Sequence, residues 1–156
     1  MKKLLLLFIV TMGLALSSCN NFSQPSTNEN TTKDVVEPDY PPELVEMANQ
    51  YHFNIDTTQT YDIDIKVIQS IDDYECLAME CSNKAYGWYL GQVMYYWSSN
   101  MVYDDKIIKE KAYLLGTYHY STMDNTKKVV PFYCSTKAYR ENIEIINLIM
   151  EIQDYK

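Results

Sequence analysis

From residue 62 apolar and polar side chains alternate: Ile63, Ile65, Val67 and Ile71 fall on one face, and Asp62, Asp64, Lys66 and Ser70 on the other. That period of two predicts a half-buried strand. Asp72-Asp73 predicts a turn, and residues 74–82 a second strand with Leu77, Met79 and Cys81 inward. After a loop at 83–87, an aromatic-rich third strand is expected over 88–97 and a very short fourth over 101–103. Residues 107–122 read as a long strand interrupted by Gly116, where a glycine marks a bulge or a sharp bend. Asp124-Asn125 suits a tight hairpin turn. A sixth strand follows over 127–135, and Pro131, which cannot donate a ladder bond, makes it an edge strand or a bulged one.

Helical spacing occurs at both ends of this run. Pro41-Pro42-Glu43 is a helix start, and Leu44, Val45, Met47, Ala48 and Tyr51 continue it to about residue 51. From Thr136, Tyr139, Ile143, Ile146 and Met150 form an apolar stripe flanked by Ile145, Ile149 and Ile152, with Asn142 placed to cap a second segment. The expected fold class is mainly β (α+β): a small, partly open antiparallel barrel of five or six strands, OB-like or SH3-like, with a C-terminal helix. An α+β sheet with a packed helix is the second choice.

Ahead of the domain stand Lys2 and Lys3, then an apolar run from Leu4 that ends at Leu16. Thirteen residues at about 1.5 Å each give roughly 20 Å of helix, short of the ~30 Å hydrocarbon core, so an export signal is the better reading. Leu16-Ser17-Ser18-Cys19 resembles the lipobox of bacterial lipoproteins. The resemblance implies cleavage before Cys19 and acylation of its thiol and new amino terminus. It divides the chain into a signal peptide (1–18), a lipidated cysteine with a disordered tether (19–39) and a β-rich domain (40–156). It also places the protein in the bacterial cell envelope, lipid-anchored, with the outer membrane expected, and makes the membrane its first partner. The run from Tyr103-Asp104-Asp105 through Gly116-Thr117-Tyr118 to Val130-Pro131-Phe132-Tyr133 is similar to the core of small uncharacterised lipoproteins from gut Bacteroidetes. That similarity implies no activity.

The chain carries 13 basic and 21 acidic residues, a net charge of −8, and loses Lys2 and Lys3 with the leader. An acidic surface repels phosphate backbones, so nucleic acid is not an expected partner. Beyond Cys19 three cysteines remain: Cys76, Cys81 and Cys134. Export permits disulfides, and Cys81 with Cys134 is the candidate pair. With no CxxC and no His-Cys cluster, no metal site is expected, and no cofactor.

Fifteen tyrosines make the composition unusual. Trp88, Tyr89, Tyr95, Tyr96 and Trp97, with Tyr118 and Tyr120 across the sheet, are the candidate binding surface. Aromatic rings with polar tips give rigid contact area at low entropic cost. Strand alternation sends about half of such a run into the core. His119 has no local partner that would make it a general base. Asp62/Asp64, Asp72/Asp73 and Asp104/Asp105 lack the companions of a calcium loop and read as turn and surface residues. No G-x-S-x-G or phosphate-cradling glycine run is present, so no catalytic residue is nominated. The leading expectation is a non-enzymatic interaction module for a protein or glycan. The alternatives are an inhibitor or immunity factor blocking a cationic hydrolase, and an enzyme whose site is assembled only by folding.

Overall fold

The computed structural model describes residues 40–155. The signal peptide, Cys19 and the tether fall outside the described residues. Within them the protein is mainly β with a C-terminal helix, as the patterning predicts.

Helix α1 (Pro42–Gln50) opens with proline at its first position and Glu43 in its first turn, where a missing N–H and a negative charge are both tolerated. It buries Leu44 and Ala48, one turn apart on one face. At Tyr51 the backbone turns extended and becomes β1 (Tyr51–Phe53), a strand the helical spacing concealed.

Strand β2 (Tyr61–Ser70) buries Ile63, Ile65 and Val67 as expected. Its register against β3 (Glu75–Glu80) shifts between Val67 and Gln69, which makes Ile68 an extra residue. The bulge breaks the alternation there. Ile68 and Ile71 both stand exposed, so Ile71 does not join the inward set. In β3 the inward positions of the aliphatic core are Cys76 and Ala78; Leu77 is buried on the other face.

The third expected strand is shorter than its aromatic run. Only Val93–Trp97 pairs, as β4, while Trp88 makes a single bridge to Asn83 within a loop. No strand forms at 101–103. Its alternation belongs to a loop that inserts Val102 into the core and leaves Met101 and Tyr103 exposed. The Val102 N–H is satisfied by Asp73 O at 2.8 Å.

Strand β5 (Ile107–Ser121) is long enough for partners on both edges. Its first half pairs with β2, its second with β1 on the same edge, and β6 (Lys127–Ser135) lies along the other. The bulge expected at Gly116 is present: the β5–β6 register shifts between Leu114 and Gly116. Gly116 has φ +142, and a Cβ there would stand 2.0 Å from His52 O, so only glycine lets β1 approach so closely.

The strand order is β1-β5-β2-β3-β4-β6, and β5 also pairs with β6, so five strands run around a ring with β1 added to β5. The sheet is ring-like but is not the antiparallel barrel expected. Its closing seam, β4 against β6, is parallel. That seam also means β6 is no edge strand. Pro131 pairs with Thr117, one position before the stretch Phe132 to Cys134 that meets β4, and the β5 bulge lies opposite Phe132 and Tyr133.

Ser135 caps α2 (Thr136–Glu141), accepting from Ala138 N at 3.1 Å. The helical run breaks at Asn142, as expected, though its amide donates back to Ala138 O at 2.7 Å and does not cap the next helix. Helix α3 (Ile143–Asp154) buries Ile146, Ile149 and Ile152. It packs on α1, and Gln153 fastens the α1–β1 junction: its amide donates to Ala48 O and Tyr51 O and accepts from Phe53 N.

Candidate functional site

Strand β4 is buried on both faces, which separates the aromatic run. Met94 and Tyr96 point into an aliphatic core with Ile63, Ile65, Val67, Cys76, Ala78 and Ile108. Tyr95 and Trp97 point the other way, into a cluster with Tyr51, Tyr118 and Phe132 whose ring centroids lie 3.8 to 5.8 Å apart. The candidate surface residues therefore do not form one exposed platform. Tyr95, Tyr96 and Trp97 are buried because strands flank β4 on both edges and side chains cover both its faces. Trp88 is 56% exposed and stacks on Tyr86 at 5.2 Å in the loop before β4. Tyr89 bonds Asp64 at 2.9 Å.

Tyr118 and Tyr120 remain together, two residues apart on one face of β5. They continue a row of near-parallel rings that starts in the core. Tyr95 stacks on Tyr118 at 3.8 Å and 18°, and Tyr118 on Tyr120 at 5.8 Å and 14°. The outer end of this row opens into a cleft of about 410 Å³. Tyr118 and Tyr120 line it with Leu77, Ile71 and Met123, and Gln69, Ser121 and Thr122 supply amide and hydroxyl groups. The lining comes from the β2–β3 and β5–β6 hairpins. It is a half-open depression whose lining mixes polar and apolar atoms in similar shares.

Behind the rings the polar atoms are paired. The Tyr95 hydroxyl donates to Glu75 Oε2 at 2.6 Å, meets the Tyr51 hydroxyl at 3.1 Å and accepts from Trp97 Nε1 at 3.1 Å. Burial first, then the Glu75 charge among its neighbours, pushes the Tyr51 and Tyr95 phenols far above their ordinary range. Tyr118 is raised by the same two causes. These phenols stay neutral. The cleft can stack on a ring face and exchange hydrogen bonds; among the described residues no carboxylate, imidazole or thiol lines it.

The other candidates fall elsewhere. Cys76, Cys81 and Cys134 are free and buried, and β4 separates the strand of Cys134 from β3, beyond which Cys81 lies, so the expected Cys81–Cys134 disulfide is not formed. Burial lifts the Cys76 thiol to about 12 and raises Cys134 further, so neither is a thiolate nucleophile. Asp62 and Asp64 pair with Lys111 and Lys109 directly across the β2–β5 ladder, at 3.3 and 3.2 Å. Asp72 accepts from Tyr74 N, a turn role, whereas Asp104 accepts from Ser70 N and Oγ and so ties its loop to the distant end of β2.

Sequence reasoning missed a histidine pair. His52 and His119 meet with 4.2 Å between ring centroids and their planes tilted by 37°. Their contact needs β1, which the helical spacing around Tyr51 hid. Among the described residues no group of three or more His, Cys, Asp or Glu is placed to hold a metal ion, and no helix is long and apolar enough to cross a membrane. Set beside protein-family models, curated proteins and solved structures, the chain matches none of them.

Proposed function

We propose that this chain is a lipid-anchored protein of the bacterial envelope whose domain is a non-enzymatic binding module, taking a neutral glycan into the cleft between the β2–β3 and β5–β6 hairpins. The observation that carries the reading is the row Tyr95–Tyr118–Tyr120, which runs out of the core to the cleft wall. Tyr118 is sandwiched between the other two rings and buried, so the ring offered to the cleft is Tyr120, which Tyr118 holds from behind and which loses little further rotamer freedom on binding. Sugar rings offer the complement: C–H edges for the tyrosine faces, hydroxyls for Gln69, Ser121 and Thr122. The anchor rests on Leu16-Ser17-Ser18-Cys19 and the apolar leader before it.

The test is calorimetric titration of the full chain with neutral oligosaccharides. The reading expects binding that falls at least tenfold in Tyr120→Ala and hardly changes with salt. Equal affinity in the variant overturns it. The net charge of −8 favours a second reading, an inhibitor of a cationic hydrolase. In that case inhibition weakens steeply with ionic strength and ignores Tyr120. Labelled palmitate should enter the wild-type chain and not Cys19→Ala; incorporation in both overturns the anchor.

A further inference from the structure

We propose that His52 and His119 form a two-nitrogen binding site for a divalent transition-metal ion of the copper–nickel–zinc group. The chain has two histidines, separated by most of the domain, and folding brings their rings into contact at 4.2 Å. The backbone beneath them is fixed. His52 stands opposite Thr117 in the β1–β5 ladder, and His119, two positions on, shares the face of Thr117 and lies diagonal to His52. The bare Cα of Gly116 under His52 O sets how closely the strands approach.

Diagonal strand neighbours begin about 7–8 Å apart, and the two imidazole arms have already closed that gap. A metal–nitrogen bond is about 2.0–2.1 Å, so two rings already in contact lie within the span that one ion shared by two ring nitrogens requires. Thr117 Oγ1 lies 3.3 Å from His119 Nε2. When Nε2–H donates to that oxygen, the lone pair sits on Nδ1, the outer-shell arrangement that orients a ligating histidine. His52 is exposed and His119 half-exposed, so an ion reaches the pair from solvent. With no third protein ligand among the described residues, the other positions go to water or to a donor from outside the chain. Such an open imidazole site takes copper(II) most strongly in the divalent series.

The experiment titrates the full chain with copper(II) and reads electron paramagnetic resonance, which counts coordinated nitrogens, alongside thermal unfolding. One equivalent bound through two imidazole nitrogens, with a raised unfolding midpoint, is expected. His52→Ala and His119→Ala should each weaken binding at least tenfold and abolish the rise. Both side chains lie at the surface, so circular dichroism should show both variants folded. A one-nitrogen or sulfur-ligated spectrum overturns the site, as does wild-type affinity in either folded variant.

Discussion

Strand β4 divides the interior into two regions held by different means. On the side of Met94 and Tyr96 the buried partners are mainly aliphatic, with Tyr61 and Tyr133 packed at the margin, and the Tyr96 hydroxyl donates to Glu110 at 2.7 Å. On the side of Tyr95 and Trp97 the partners are rings, and their polar atoms meet at a shared hub, the Tyr95 hydroxyl. Aliphatic packing is non-directional and is felt mainly as area removed from water. The ring cluster adds directed contacts, in which one group satisfies several others and its loss strands them together. The same stiffness suits the ring side to hold Tyr118 and Tyr120 at the cleft.

The largest expected effect comes from deleting a ring. Phe132 is fully buried and touches Tyr51, Tyr95 and Trp97, so Phe132→Ala should cost about 3–5 kcal/mol by chemical denaturation and red-shift the emission of Trp97. A small loss with unchanged emission would mean the ring cluster is loosely packed. Tyr95→Phe keeps the ring and removes the hub, and should cost about 1–3 kcal/mol with the fold retained. If it is neutral, the two regions do not differ in kind. Ile65→Val trims one methylene from the aliphatic side and should cost about 0.5–1.5 kcal/mol with no change in tryptophan emission.

The smallest effect separates the regions by pH. The hydrogen bonds from the Ser70 N–H and hydroxyl hold the Asp104 carboxyl below its ordinary value of 3.8. A depressed carboxyl stabilises the fold fully above its unfolded value and loses that contribution as pH falls through the folded one. Acid below about pH 4 should therefore loosen the loop that carries Val102 on the aliphatic side. Protection of the Val102 amide, taken relative to its intrinsic exchange rate at each pH, should fall there in wild type. In Asp104→Ala that protection should be low at all pH values.

Legibility differed between the regions in the same way. Ile63, Ile65 and Val67 announced β2 because one face of that strand is half wet, and alternation marks such a strand. Strand β4 gave no such signal: with both faces buried its sequence, Val-Met-Tyr-Tyr-Trp, does not alternate, and its aromatic neighbours before residue 93 extended the apparent strand. The bulge at Gly116 and the break at Asn142 were readable because each depends on local backbone chemistry. The bulge at Ile68, the parallel seam and the His52–His119 pair were not, because each is decided by residues distant in sequence. Of the cleft, the sequence offered Tyr118 and Tyr120. It gave no sign of Gln69, Leu77 and Met123, which hairpin packing brings to them.

The parallel seam imposes an order on the birth of the protein. An uncharged segment, Val-Met-Tyr-Tyr-Trp, emerges with β3 already available on one side, while its other neighbour, Phe132 to Cys134, has yet to be synthesised. In that interval the bare side of the segment offers unsatisfied backbone groups and high β-propensity to any second chain, the conditions that seed cross-β association. Growth of the chain past residue 134 ends the exposure. A premature stop before Lys127 would leave it permanent, and such a truncated product should accumulate as aggregate.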